Sequence, residues 1–290
     1  MGYIGRFAPS PTGPLHLGSL FTALISYLHA RQQQGKWLLR IDDIDPPREM
    51  QGSKEHILQS LQTYGLEWDG AVIYQSEQSQ HYQQAIEQLK QQNMLFWCSC
   101  SRKQLAAFEH YPGTCYGQGP RPDCAIRLHH PYQPHWLDQL QGPQCPAQQQ
   151  AQDFVIQRRD GLYSYHLASV VDDHLLGITD VVRGCDLMDS TGHHACLQQS
   201  LNIRAPRYWH LPVILAADGQ KLSKQTGAQA LSLGPDQAKY QLAELINALV
   251  GSQLVTAQQP CREQLFAALQ AFDINKLKQL TAFKLQFSNQ

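Results

Sequence analysis

From Tyr3 to Gln92 short apolar runs alternate with helical spacing, and that alternation restricts the chain to a parallel sheet flanked by helices. Strands are expected at Tyr3 to Phe7, Trp37 to Ile41 and Ala71 to Tyr74. Helices are expected between and after them: Leu17 to Gln33, with Leu20, Leu24 and Leu28 on one side, then Lys54 to Tyr64 and Glu77 to Gln92. Near Leu95 the periodicity fades into a stretch rich in Cys, Pro, Gly and His, which reads as an insertion, with Gly142 to Gln152 as a linker. Alternation then resumes with strands at Phe154 to Gln157 and Ile178 to Val182, and helices from Tyr165 to Val171 and from about Ser190 to Leu201. Leu242, Leu245, Ile246 and Leu249 share one face of a further helix.

The fold class expected is α/β, a doubly wound parallel sheet. It divides into a first half of the core at 1–93, an inserted subdomain at 94–150, a second half at 151–234 and a helical region at 235–290. The hydrophobic fraction of 42% supports a sizeable core. A formal net charge of -1 leaves no global basic field, so contact with a nucleic acid needs a local basic patch. Arg102, Lys103, Arg121, Arg158 and Arg159 are the candidates for it. No apolar run reaches the roughly 18 residues of a membrane span. The start MGYIGRFAPSPTG lacks the layout of a signal peptide, so a cytoplasmic protein is expected.

The most informative segment is RFAPSPTGPLHLGS, Arg6 to Ser19, which follows a strand and precedes a helix. Pro9, Pro11 and Pro14 stiffen the turn, and Gly13 permits unusual backbone angles. His16 and Gly18 stand at the mouth of the helix, where free N–H groups and the helix dipole favour a phosphate. Gly18 lets a nucleotide approach the backbone, and His16 can donate to a phosphate oxygen. Read alone, a His-x-Gly turn is an ordinary surface loop. Far downstream, Lys221 and Lys224 in KLSKQ can clamp a polyphosphate as negative charge moves toward the leaving group.

Together these segments resemble the class I aminoacyl-tRNA synthetases, in the glutamyl branch. HLGS at His16–Ser19 is similar to the HIGH-type motif, and KLSKQ at Lys221–Gln225 to the KMSKS loop, with HLP at His210–Pro212 before it. The resemblance implies that His16, Gly18, Lys221 and Lys224 are catalytic. It also implies that ATP, with Mg2+, is held by His16, Gly18, Ser19, His210, Leu211, Lys221, Ser223 and Lys224.

An acidic amino acid needs a cation for its side chain and an acceptor for its ammonium. Arg6 and Arg183 are candidates for the first, since a guanidinium offers a planar fork to a carboxylate. Asp180, Asp186 and Asp173 offer Arg183 an alternative use in a structural ion pair. Asp42 is the candidate for the ammonium, with Asp43 and Asp45 as alternatives beside it, and Tyr165 can add a hydroxyl. These positions match the glutamate site of the resembled branch, which adds Ala8 and Ser10 from RFAPS. One departure is that the branch usually has Glu where this chain has Asp42, a reach shorter by one methylene that a water can bridge.

Cys98, Cys100 and Cys115 lie in the insertion, and a small module with little apolar content gains from a metal staple. Three thiolates call for a fourth ligand, and Tyr111, His110 and Cys124 are open to that role on chemistry alone. The resemblance to short paralogues of the glutamyl branch selects Tyr111 and implies a structural Zn2+. Those paralogues attach glutamate to the queuosine base at the wobble position of tRNA(Asp). They do so without the large C-terminal anticodon-reading portion, which the span 235–290 is too short to supply. The partners implied are L-glutamate and queuosine-bearing tRNA(Asp); no protein partner, hence a monomer, is expected. Three other readings share parts of this pattern: a synthetase charging the tRNA 3′ end, a nucleotidyltransferase acting on a small acid, and a non-catalytic RNA-binding paralogue.

Overall fold

The computed structural model describes residues 2–108, 111–129, 135–145, 153–215 and 230–284. Strand β1 (Ile4–Phe7) leads through the Pro-rich turn into α1 (Leu17–Gln32), then β2 (Lys36–Ile41), α2 (Ser53–Thr63), β3 (Ile73–Tyr74) and α3 (Ser79–Gln91). The Cys-rich span holds β4 (Leu95–Cys98), the short α4 (Arg102–Leu105), β5 (Ala125–Leu128), β6 (Trp136–Asp138) and β7 (Gly142–Gln144). There follow β8 (Phe154–Gln157), α5 (Tyr165–Leu175), β9 (Asp180–Gly184), α6 (Met188–Ser200), β10 (Arg207–Leu211) and β11 (Val213–Leu215). The chain ends in α7 (Pro235–Val250), α8 (Cys261–Ala271) and β12 (Ala282–Lys284).

The main sheet runs β3-β2-β1-β9-β10-β6-β7. All its pairings are parallel except β6 with β7. Asp180 to Arg183 of β9 are all buried, as helices on both faces of a parallel sheet require. From β1 the chain winds to β2 and β3 on one side and returns to β9 and β10 on the other. The crevice beyond the carboxyl ends of β1 and β9 is therefore a topological switch point, where open α/β sheets place their ligands.

The expected inserted unit at 94–150 does not fold as one piece. Trp136–Asp138 and Gly142–Gln144, within the expected insertion and linker, extend the main sheet by a parallel strand and its hairpin partner. Phe154–Gln157, expected in the second half of the core, instead completes an antiparallel β4-β5-β8 sheet. Local composition marks the break in periodicity, but it does not reveal which distant backbone satisfies a strand's hydrogen bonds.

Leu242, Leu245, Ile246 and Leu249 of α7 bury in the same core as Leu24 and Leu28 of α1, so the C-terminal helices cover the first half of the sheet. Pro235 opens α7, and Gly251 closes it in the left-handed region at φ 79°. A second core joins Tyr82, Ile86 and Leu89 of α3 to Phe154 and Ile156 of β8 and to Leu167, Val170 and Leu197 on α5 and α6. No described helix is long and apolar enough to cross a membrane.

Candidate active site

A cavity of about 340 Å3 opens at the switch point. Arg6, Ala8, Ser10, His16, Gly18, Ser19, Asp42, Tyr165 and Arg183, all named from the sequence, line it. Their convergence follows from the sheet: each lies on or just beyond the carboxyl end of β1, β2 or β9, or at the start of a helix facing it.

His16 is the N-cap of α1. Its Nδ1 accepts from the backbone N–H of Gly18 (3.1 Å) and of Ser19 (3.4 Å), so the ring proton sits on Nε2. This corrects one expectation. The Gly18 and Ser19 amides are engaged by the cap, and the helix mouth presents an imidazole N–H to the cavity instead. Gly13, at φ 134°, provides the backbone angle the turn needs before the cap.

The two arginines differ in what they retain for a ligand. Arg6 is 4% exposed, and its Nε and Nη2 fork onto Asp173 at 3.1 and 3.3 Å. Its Nη1 makes no hydrogen bond to any described residue, which leaves the Nη1 and Nη2 edge for a carboxylate. Arg183 is just as buried, yet each of its N–H groups has a protein partner. Nε donates to His210 Nε2 (3.1 Å), and Nη2 to Thr191 Oγ1 (2.7 Å) and Leu187 O (3.4 Å). Nη1 donates to the Tyr165 hydroxyl (3.0 Å) and faces His194 Nδ1 at 3.4 Å. The fork expected from sequence is thus not open at Arg183. It supplies positive charge and holds Tyr165, whose hydroxyl accepts from Nη1 and keeps its own proton to donate. The alternative ion pairs do not form with Asp173, which serves Arg6 and Arg40, or with Asp180, which binds Arg207.

Asp42 belongs to a buried ionic cluster. Arg40, fully buried, donates to both oxygens of Asp42 (2.6 and 3.3 Å) and to Asp173 (2.7 Å), with Asp172 at 3.8 Å. Burial raises the Asp42 carboxyl above its usual range and Arg40 only partly opposes it. Burial also lifts Asp172, to about 6, against the pull of Arg40. At Asp173 burial acts the same way, but Arg6 and Arg40 outweigh it and hold the group low. Arg6 and Arg40 against Asp42, Asp172 and Asp173 leave one negative charge in excess when all are ionised, a setting suited to a ligand's ammonium at Asp42.

His210 and Leu211 were expected on ATP, and neither reaches the cavity. Both are 0% exposed. His210 is clamped between Asp138 Oδ2 (2.5 Å at Nδ1) and Arg183, and Leu211 packs in the core; Pro212, Val213 and Ile214 form the wall in their place. Lys221, Ser223 and Lys224 lie outside the described residues. The described chain on either side of them meets the cavity: Val213 and Ile214 line it, Ala230 bridges to His16, and Leu231 N–H donates to Leu15 O at 2.8 Å.

The sulfurs of Cys98, Cys100 and Cys115 lie within 4.8 Å of one another. Burial would raise the Cys115 thiol, but hydrogen bonds, chiefly from Tyr111, bring it down to about 6. Tyr111 also takes the Cys115 backbone N–H on its hydroxyl at 3.0 Å. The donor set is sulfur-rich and fits zinc, and Tyr111 is the oxygen donor beside it. Cys124 is not part of the sulfur group, and His110 lies outside the described residues. Cys98→Ser is expected to lower metal content of the full chain from about one zinc to a small fraction. Plasma mass spectrometry of the purified protein checks it, and unchanged zinc would remove the assignment.

Of the basic candidates, Arg158 pairs with Asp45 and Asp160, and Arg159 donates to Ser99 O, so neither is a bare surface charge. Arg102, Lys103 and Arg121 are exposed. Sequence reasoning did not pick out Arg40, Asp138, Thr191 or His194. Arg40 stood in RIDD beside a chosen residue, and its charge inside an apolar strand was the available signal. Asp138 carried none.

Three comparisons bear on this geometry. Residues 4–113 and 116–283 match the family model "tRNA synthetases class I (E and Q), catalytic domain". A Glutamyl-Q tRNA(Asp) synthetase of Pseudomonas paraeruginosa is 49% identical over 251 residues, 85% of each chain. One of Pseudomonas putida is 47% identical over 262 residues, 88% of each. Among solved structures, a glutamate tRNA ligase from Elizabethkingia meningosepticum in complex with its amino acid superposes with TM-score 0.80 at 26% identity. That match covers 98% of this chain and 68% of the ligase. The glutamate-tRNA synthetase of Elizabethkingia anophelis gives 0.81 at 27%, covering 99% and 68%.

Proposed function

Since the chain belongs to the class I tRNA synthetases (E and Q) catalytic-domain family, and is therefore a ligase, we infer that it activates L-glutamate with ATP and transfers it to the queuosine base at the wobble position of tRNA(Asp). One observation carries the amino-acid part. Arg6, Arg183 with Tyr165, and Asp42 meet His16 at a single cavity on the switch point. The guanidinium groups of Arg6 and Arg183 near the Asp42 carboxylate suit a dicarboxylic acid with an ammonium group.

In the first step an oxygen of the glutamate α-carboxylate attacks the α-phosphorus of ATP, and pyrophosphate leaves. The chain's residues bind and orient. The Nη edge of Arg6 and the Tyr165 hydroxyl hold carboxylate, Asp42 holds the ammonium, and His16 Nε2–H donates to a phosphate oxygen. Lys221 and Lys224 would meet the charge that builds on the departing pyrophosphate; support for this is that both described flanks of their segment lie at the cavity. In the second step a hydroxyl of the queuosine cyclopentene ring attacks the adenylate carbonyl. AMP leaves and the hydroxyl proton passes to solvent. The similarity to two glutamyl-Q tRNA(Asp) synthetases supports this acceptor. Cys98, Cys100, Cys115 and Tyr111 would hold a zinc whose role is to brace the β4-β5-β8 module.

The test is ATP–pyrophosphate exchange across a panel of acids, followed by transfer of labelled glutamate to queuosine-bearing tRNA(Asp) and to tRNA(Glu). Exchange driven by glutamate is expected, together with label on queuosine-bearing tRNA(Asp) that stays with the anticodon fragment after nuclease cleavage at acidic pH. Label confined to a tRNA 3′ end would establish the charging alternative.

A further inference from the structure

A buried chain of hydrogen bonds runs from β6 to the cavity. Asp138 Oδ1 accepts from the backbone N–H of Leu140 (3.0 Å) and Gln141 (2.8 Å), which locks the carboxylate. Its Oδ2 accepts from His210 N (3.2 Å) and lies 2.5 Å from His210 Nδ1. On the far side of the ring, Nε2 meets Arg183 Nε at 3.1 Å and the Thr191 hydroxyl at 3.0 Å. Arg183 Nη1 then donates to Tyr165 at the cavity.

The proton positions along this chain follow from chemistry. A guanidinium N–H can only donate, so His210 Nε2 is an acceptor and the ring proton is on Nδ1. An ionised carboxylate can only accept, which is what Nδ1–H requires. We infer that Asp138 and His210 are positioning residues for the amino-acid site: Asp138 holds His210 as the Nδ1-protonated tautomer, and the Nε2 lone pair sets the Arg183–Tyr165 pair toward the cavity. The inference rests on the reading of Arg183 and Tyr165 as glutamate contacts. It also gives a reason for β6 to join the main sheet. Tyr208 of β10 pairs with Asp138, and that register delivers the carboxylate to His210.

Asp138→Asn keeps the shape and reverses the logic. Whichever way the amide turns, its NH2 faces backbone N–H donors, either those of Leu140 and Gln141 or that of His210. An amide N–H toward Nδ1 drives the ring proton to Nε2, where it opposes the N–H of Arg183, and Arg183 loses its anchor. His210→Gln offers a carbonyl oxygen to Arg183 that needs no help from Asp138.

The experiment uses the full chain. Nitrogen-15 NMR of labelled histidine is expected to show His210 with Nδ1 protonated and Nε2 bare, and the opposite tautomer in Asp138→Asn. In pyrophosphate exchange, Asp138→Asn is expected to raise KM for glutamate about tenfold, with KM for ATP moving less than about twofold. In a His210→Gln background the same substitution is expected to change KM for glutamate less than about twofold. An Nε2-protonated ring in the wild type, or an equal factor in both backgrounds as plain destabilisation would give, overturns the inference. If the wild type shows no glutamate-dependent exchange, the glutamate reading falls, and the tautomer measurement alone decides the positioning chain.

Discussion

Asp173→Ala is expected to lower folding stability by about 3–5 kcal/mol, the cost of stripping a partner from a buried ion pair. Asp173 is the carboxylate on which Arg6 forks, and it also takes a hydrogen bond from Arg40. The side chains of Arg6 and Asp173 are 4% and 7% exposed, so solvent cannot replace the lost partner. Arg40 keeps Asp42, whereas Arg6 is left as a desolvated cation. The midpoint of urea unfolding, at unchanged slope, measures the loss. Asp173→Asn, which preserves volume and one acceptor, is expected to fall between the two. A loss under about 1 kcal/mol for the alanine variant would mean that the cluster contributes nothing net, as buried pairs sometimes do.

Lys224→Ala is expected to slow adenylate formation by about 100- to 1000-fold, the range seen when one preorganised charge contact to a transition state is removed. The charge that moves toward the departing pyrophosphate exists only as the bond breaks. A lysine there therefore acts on the rate more than on ground-state binding. Glutamate affinity, which the proposed function assigns to Arg6, Asp42 and Tyr165, is expected to shift less than about threefold. Single-turnover adenylate formation and a separate glutamate titration distinguish these. Equal rates in variant and wild type would refute the clamp.

Much of this molecule is legible in one sequence, and the misses have a common origin. The strand before RFAPSPTG, the helix after HLGS and the helix of Leu242 to Leu249 follow from residue spacing, because side chains two, three or four apart share a face by backbone geometry alone. That Arg6, His16, Asp42, Tyr165 and Arg183 gather at one cavity was also legible, since each sits at a strand end or helix start that local pattern marks. The placing of Trp136 to Gln144 in an insertion failed because β6, which carries β7 as its hairpin partner, pairs with β10, some seventy positions on, and no local signal names a partner that far away. His210 was read as an ATP ligand because its motif adjoins KLSKQ; its burial between Asp138 and Arg183 exists only after three separate strands are packed.

The chain's own order of residues thus determined the α/β architecture, the turn that leads into the His16 cap, the three neighbouring thiols and the charges that gather at one crevice. Tertiary structure decided which of those charges are still open to a ligand. Arg6 keeps an edge because a single carboxylate holds its other side, and Arg183 keeps none because His210, Thr191, Leu187, His194 and Tyr165 surround it. The physical reason is that a side chain's type fixes how many hydrogen bonds it can make, while only its neighbours in space fix how many are already made.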